Sequence, residues 1–315
     1  MDTLSRRRQV TSRRIGIGVA LSIALAASPW AQTREPEARS ISGKPFHRVE
    51  STGPAAVQQA HQLRIALERV DMRDAASIER VGRIHALTSR YREAVAWYDK
   101  AIALDATRAA AFRHRGEALI VRREFALARA DLERAAALTS RAADVPERSV
   151  VANPAGPGVT LQFEIWRHLG VVRYLQGDFA GAADALRTSY RRATTDDARV
   201  VAADWLWLAS MRAGRQAEAA AVLQSITPGM QVFDERHTLR RLLAYKGAEP
   251  MAALLDPREH FALVWHGYGV GTWHLLRGDT AFARRIYEQV TATPGWAARG
   301  FIAAEVELAR MPRAR

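Results

Sequence analysis

Three histidines towards the C-terminal end of the chain suggest a metal site. His260, His266 and His274 are six and eight residues apart, whereas two zinc ligands on one helix face are four apart, as in His-Glu-x-x-His. No His-Glu-x-x-His segment occurs. His85 and His114 adjoin predicted helix-packing positions, and we expect packing to satisfy them. The sequence therefore predicts no metal site and no cofactor.

Covalent catalysis also lacks its usual residues. The 315 residues include no cysteine, which excludes a cysteine nucleophile, thiolate metal ligands and disulfides. No Gly-x-Ser-x-Gly motif occurs, and Gly267-x-Gly269-x-Gly271 is not set between a strand and a helix as a phosphate-binding loop would be. We predict that the chain is not an enzyme. An acid–base pair assembled by folding is the remaining catalytic alternative.

The formal charge of +13 could attract nucleic acid or an anionic surface. Five arginines and one aspartate of the excess belong to residues 1–31. Beyond them, no run of arginines alternates with aromatic residues, and the chain has only three lysines. A coding preference for arginine and alanine explains this composition more simply. We therefore predict no nucleic-acid partner.

The elements that must position any site are helices, because small residues recur at a fixed long spacing. Gly82 and Gly116 are 34 residues apart, and so are Ala94 and Ala128. Around them, apolar residues recur at spacings of three and four, which is typical of amphipathic helices. A fixed period of this length indicates a tandem array of small helical units.

A tryptophan motif adds to the spacing. The segment Trp166-x-x-Leu169-Gly170 is followed by Ala182-x-x-x-Leu186. Together with the period of 34, this motif resembles the tetratricopeptide repeat (TPR) family. The resemblance implies an all-α, right-handed solenoid of helical hairpins. It also implies that the first helix of each hairpin lines a concave groove, which binds a protein or a peptide.

The small residues of the motif fall where the two helices of a hairpin approach. A larger side chain there would force the helices apart at a cost of about 1–3 kcal/mol. The predicted repeat-packing residues are Gly82, Ala94, Gly116, Ala128, Trp166, Gly170, Ala182, Gly271 and Ala283.

Residues 1–31 have the composition of a secretory signal peptide. Five arginines precede the thirteen apolar or small residues of 15–27, a stretch too short to span a bilayer, and small residues follow up to Ala31. We predict cleavage near Ala31, export to the periplasm and no membrane span in the mature chain. General secretion is favoured over the twin-arginine route, because Gly16 stands where that motif has a bulky apolar residue.

Composition divides the rest of the chain. Prolines and glycines predict a flexible linker at the N-terminal side, so the expected fold class is an all-α TPR-like solenoid with a disordered signal and linker. A second cluster of prolines and glycines predicts an inserted loop. The expected segments are 32–54 (linker), 55–142 (N-terminal helix and repeats 1–2), 143–161 (inserted loop) and 162–312 (repeats 3–5, a degenerate middle over 196–262 and a C-terminal capping helix).

The resemblance also assigns a groove lining, first of mixed charge and then aromatic. Arginine and aromatic side chains supply much of the energy of protein interfaces. The alternatives are an ordinary solvated face for the charges and a core role for the aromatics. Asn153 is the only asparagine, which excludes the TPR mode that holds a chaperone tail with asparagines. The assigned residues are Glu79, Arg83, Arg113, Glu117, Glu164, Arg167, Tyr174, Trp265 and Tyr268.

These features lead to two functional hypotheses. The first is a protein-binding scaffold or adaptor in the bacterial cell envelope, with a protein or peptide partner in its groove. The second is a structural subunit of an envelope complex that associates with itself through aromatic end surfaces. The sequence names neither the partner nor the oligomeric state.

Overall fold

The computed structural model describes residues 35–48, 53–147, 159–259 and 261–312. The expected signal peptide lies outside the described residues. Within them are two short strands, thirteen α-helices and one 3-10 helix (Met251–Leu255). The α-helices are α1 (Pro54–Glu68), α2 (Ala75–Leu87), α3 (Tyr91–Leu104), α4 (Ala109–Val121), α5 (Phe125–Thr139), α6 (Leu161–Gln176), α7 (Phe179–Arg191), α8 (Asp196–Arg212), α9 (Gln216–Gln224), α10 (Arg236–Lys246), α11 (Ala262–Leu275), α12 (Thr280–Thr291) and α13 (Arg299–Arg310).

Side-chain caps start several of these helices. Asp74 accepts hydrogen bonds from two backbone N–H groups at the start of α2, and Thr160 accepts one at the start of α6. Such caps satisfy N–H groups that have no partner within the helix, which fixes where the helix begins. Asp178, Thr195 and Asp279 cap α7, α8 and α12 in the same way.

Consecutive helices pack as hairpins: α2 with α3, α4 with α5, α6 with α7, α8 with α9 and α11 with α12. In every one of these hairpins except that of α8 and α9, a glycine in the first helix lies against a large side chain of the second, so close that a Cβ atom would overlap it. That Cβ would lie 2.3 Å from Leu186 at Gly170 and 2.5 Å from Tyr287 at Gly271. Gly82 faces Tyr98 and Gly116 faces Leu132 in equivalent positions. Among the other assigned packing residues, Ala94, Ala128, Ala182 and Ala283 are fully buried, and Trp166 is half-buried.

The structure differs from the expected flexible linker over residues 35–48. Strands β1 (Ala38–Arg39) and β2 (Pro45–Phe46) form an antiparallel pair, with Ala38 opposite Phe46. Phe46 is buried because its ring stacks on Trp296 at 5.5 Å and meets Phe301 edge-on at 5.7 Å. One aromatic side chain with distant partners thus orders a segment whose composition is that of a linker.

The C-terminal helix does more than cap the array. Besides packing on α12, α13 lies against the first helices of earlier hairpins. Arg310 donates to the Leu175 carbonyl of α6 at 2.6 Å, and Glu307 pairs with Arg212 of α8 at 2.9 Å. The solenoid therefore closes on itself, with α13 on the side that the first helices line.

The two arms of the inserted loop lie side by side. Glu147 N–H donates to the Val159 carbonyl at 2.8 Å, and Leu161 N–H donates to the Val145 carbonyl at 2.9 Å. Residues 148–158 lie outside the described residues. The arms place Glu147 next to the groove, between α4 and α6. Separately, none of the helices in the described ranges combines the length and apolar character that a membrane span needs.

Candidate functional site

Helix α11 fills the C-terminal side of the groove. Tyr268 of α11 donates its hydroxyl hydrogen bond to the Tyr174 hydroxyl of α6 at 2.8 Å, and both side chains are buried. Trp205 of α8 stacks on Tyr268 at 5.9 Å. The sequence assigned Tyr174 and Tyr268 to the partner-binding lining, but in this structure they bind each other because α11 fills that part of the groove.

Trp265 lies elsewhere, at the start of α11, and is 44% exposed. Its ring stacks on His237 at 5.5 Å and contacts Phe261 at 5.4 Å. The Trp265 carbonyl accepts a hydrogen bond from Arg241. The sequence assigned Trp265 to the aromatic part of the groove lining, and in this structure its ring packs against His237 of α10 and against Phe261.

The open part of the groove is a cleft over α2 and α4, made of two adjoining cavities of about 450 Å³ and about 1080 Å³. Arg83, His114 and Glu147 line both cavities. The smaller cavity combines a charged wall with an apolar and aromatic one. Its apolar side is formed by Ala86, Leu87, Tyr91, Tyr98, Ala118 and Val121.

Arg113 is the centre of the charged wall. Its guanidinium donates to Glu117 at 2.6 Å and also bonds to Glu147. Burial alone would lower the pKa of Arg113, but Glu147 and Glu117 raise it further above its usual value. The arginine is therefore charged, and its charge is compensated by carboxylates.

Glu147 and His114 adjoin Arg113. Burial alone would raise the pKa of Glu147, but Arg113 and His114 lower it to about 2. The His114 Nε2 atom lies 3.1 Å from Glu147 and 3.4 Å from Glu79. Burial and the charge of Arg113 lower the pKa of His114. At neutral pH the site therefore holds ionised carboxylates and an uncharged imidazole.

A second layer of charges lies behind Arg113. Arg167 pairs with Glu164 at 2.5 Å within α6, and Glu164 is also 3.2 Å from His168. Arg299 of α13 donates to Glu117 at 2.8 Å. This layer ties α4, α6 and α13 together, so Arg113 and Glu117 lie on a helix that is held by its neighbours.

The structure brings together four of the residues assigned to the groove lining, Arg113, Glu117, Glu164 and Arg167. Glu79 is buried beneath Arg108, its ion-pair partner, and both line the larger cavity. Sequence reasoning missed Glu147 and Arg299, which reach the cleft from outside the first two repeats. It also assigned His114 to packing, although its position beside Arg113 on a groove-lining helix was a usable signal.

In the smaller cavity, Glu117 and Glu147 are both paired with Arg113. In the larger one, Glu79 pairs with Arg108, whereas Asp105 bonds to Thr107. In the described part of the chain, no three histidine, aspartate or glutamate side chains are arranged to hold a metal ion. The cleft can instead form hydrogen bonds and ion pairs with polar groups while its apolar wall contacts a side chain. This is the chemistry of a binding site for a peptide or protein segment.

Comparisons with known proteins give one distant structural similarity. No family model matches the chain, and no curated protein matches it. Among solved structures it is similar to YrrB, described as a TPR protein with an unusual peptide-binding site, at 16% identity and a TM-score of 0.41, covering 75% of this chain and 95% of that one. At these values the similarity says nothing about what this chain binds. The repeated hairpins, the 34-residue period and the glycine contacts of the chain itself make it a TPR-like array, with no closer identification.

Proposed function

We propose that this chain is a protein-binding scaffold or adaptor of the bacterial cell envelope, and that the cleft over α2 and α4 is its binding surface. The observation that supports this most is the division of the groove. The helices α11 and α13 fill one part, whereas the part over the first two repeats is open and lined by charged and apolar groups. Among the described residues of the groove, this part has room for a partner segment.

The envelope location rests on the sequence of residues 1–31. An arginine-rich start followed by a short apolar stretch is the pattern of an export signal. The proposed partner is therefore a protein of the same compartment. Binding rather than catalysis is proposed because both carboxylates of the smaller cavity, Glu117 and Glu147, are paired with Arg113.

Site-specific photo-crosslinking in the source organism tests this function. A photoreactive residue replaces Leu87 in the smaller cavity or Arg80 in the larger one, both exposed. The matched control replaces Arg134, which is exposed on α5 and lines neither cavity. We expect crosslinks to an envelope protein from both cleft positions and none from position 134. Identical products from all three positions, or none, would contradict the proposal.

Self-association is the second candidate, and an aromatic surface favours it. Phe261 and Trp265 contact each other while each is about half exposed, and Phe233 is 61% exposed. Clusters of exposed aromatic side chains are typical of protein interfaces. Light scattering over a wide concentration range tests it. A mass that rises with concentration and falls back in Trp265→Ser supports self-association, and a constant monomer mass excludes it.

A further inference from the structure

Glu147 lies at the junction of the two cavities. Together with Arg83 and His114 it lines both of them. A peptide that follows the groove along α2 and α4 from one cavity to the other must pass the Glu147 carboxylate. The contacts that hold the Glu147 carboxylate therefore determine which partners can occupy both cavities.

The bridge between the two loop arms holds the backbone of Glu147, but the Glu147 side chain takes no part in this bridge. The backbone N–H bonds to the Val159 carbonyl at 2.8 Å, and the neighbouring Pro146 pairs with Thr160. The carboxylate reaches away from this bridge to Arg113 and His114. A rotation of the side chain alone would vacate the site.

The contact between Glu147 and Arg113 is incomplete. One carboxylate oxygen, Oε1, accepts from Arg113 Nη2, whereas the buried Oε2 has no hydrogen-bond partner among the described residues. Arg113 Nε is also buried and without a hydrogen-bond partner there. A carboxylate placed squarely on the Nε–Nη2 edge would make two parallel hydrogen bonds, the stronger arrangement for this pair. Glu147 thus occupies a carboxylate site without using all of it.

We propose that the protein partner presents an acidic side chain, which replaces the Glu147 carboxylate on Arg113 and joins the two cavities into one groove. This inference rests on the proposed function and names the chemistry of its partner. Exchange of one carboxylate for another keeps both charge contacts of Arg113, whereas a neutral or basic group would leave it with the Glu117 contact and without a second carboxylate at Nη2. The exposed Arg80 in the larger cavity favours the same sign of ligand.

Competition with Glu147 sets how tightly such a partner binds. The Glu147 carboxylate belongs to the same molecule as Arg113, so its effective concentration at the site is high. The apparent affinity of a partner's carboxylate is therefore multiplied by the fraction of time in which Glu147 leaves the site vacant. Removal of the Glu147 side chain should therefore strengthen the binding of an acidic peptide. Loss of a carboxylate from the outer surface should not.

Fluorescence anisotropy with a labelled hexaglutamate peptide tests this, and a hexaglutamine peptide serves as the neutral probe. The control variant is Glu133→Ala, because Glu133 also pairs with two arginines but is 43% exposed on α5. We expect Glu147→Ala to bind hexaglutamate about tenfold more tightly than the unchanged chain. Glu133→Ala, which changes the net charge equally, should stay within about twofold. Adding Arg113→Lys to Glu147→Ala should remove most of the gain, since lysine lacks the bidentate edge.

Equal affinities of Glu147→Ala and Glu133→Ala for hexaglutamate would overturn the inference, and so would an equal gain for hexaglutamine. If circular dichroism shows that Glu147→Ala does not fold, Glu147→Gln takes its place, with a gain in the same direction expected. An envelope partner crosslinked at the cleft without this gain contradicts the acidic-ligand inference alone. The gain without any crosslinked partner supports the carboxylate site and contradicts the proposed function.

Discussion

Arg123 forms an ion pair with Glu305 at 3.0 Å, across 182 residues of sequence. Arg123 lies in the turn between α4 and α5, and it also donates to the Trp296 carbonyl at 2.8 Å. Its backbone is left-handed, with φ at 66°, where the equivalent turns after α6 and α8 have Gly177 and Gly214. A side chain in this conformation costs about 1–2 kcal/mol. The contacts to α13 offset that cost, so this turn fastens the closed solenoid.

Arg123→Ala should therefore lower the free energy of unfolding by about 3 kcal/mol, since it leaves the Glu305 side chain, which is 11% exposed, without its arginine. Arg123→Gly should lower it by about 1 kcal/mol less, because glycine accepts the left-handed backbone. Urea unfolding followed by circular dichroism measures both.

Ser89 supplies the matched control for this turn. It has the same left-handed backbone, with φ at 57°, in the hairpin before. Ser89→Gly should raise the free energy of unfolding by up to about 1 kcal/mol, since it relieves strain without loss of an ion pair. Stability that is equal in Arg123→Ala and the unchanged chain would mean that the turn does not fasten α13.

The repeat register could be predicted from the sequence because the contacts that fix it are local. Gly82 meets Tyr98 within one hairpin, so the spacing of small and large residues along the chain contains the contact. The charged residues of α4 and α6 could also be assigned to one groove face, because helical periodicity places each of them on the face that the resemblance gives to the groove. Each of these predictions needed only helical periodicity and the resemblance to one known repeat.

The rest of the site depends on contacts that no local pattern contains. Arg299 reaches Glu117 only because the solenoid curves far enough for α13 to enter its own groove. Tyr268 meets Tyr174 for the same reason. The curvature is the sum of small rotations between hairpins, including a degenerate one, and it cannot be read from the period of the sequence. Glu147 was likewise hidden in a segment whose composition predicts only a loop.

Phe46→Ala tests whether residues 35–48 act as part of the fold. Loss of the stacking with Trp296 and the contact with Phe301 should lower the free energy of unfolding by about 3 kcal/mol. Hydrogen exchange in α13 should increase as well, because the hairpin covers that helix. Ile41→Ala is the control, since the Ile41 side chain in the same hairpin is 43% exposed and should matter by no more than about 0.5 kcal/mol. Equal effects of the two changes would indicate the flexible linker that the sequence predicts.

Gly170→Ala tests the helix contact on which the repeat depends. Alanine is favoured over glycine within a helix by about 1 kcal/mol, but its Cβ would lie 2.3 Å from Leu186 Cγ. Overpacking should dominate, with a net loss of about 2 kcal/mol in the free energy of unfolding. Gly229→Ala is the control, because a Cβ there meets nothing within 4 Å.

Leu186→Ala in the Gly170→Ala background sharpens this test. Leu186→Ala alone should cost about 3 kcal/mol through the cavity that it leaves. The double variant should lose clearly less than the two single losses added together, because the new methyl group fills part of that cavity. Additive losses from denaturant unfolding would mean that residues 170 and 186 do not share one contact.

His266 should make the chain sensitive to mild acid. It is fully buried, and neither ring nitrogen has a hydrogen-bond partner among the described residues. Burial, together with the positive charge of Arg241, lowers the pKa of His266 to about 3. The unfolded chain binds this proton near pH 6.5, so the folded state loses stability as the pH falls from about 6.5 towards 3, by up to about 1.4 kcal/mol per pH unit. In His266→Leu this slope should be smaller by that amount, whereas His61→Gln, at an exposed position in α1, should leave it unchanged. Urea unfolding at a series of pH values gives the slopes, and parallel curves for His266→Leu and the unchanged chain would show that the buried imidazole takes up its proton without unfolding.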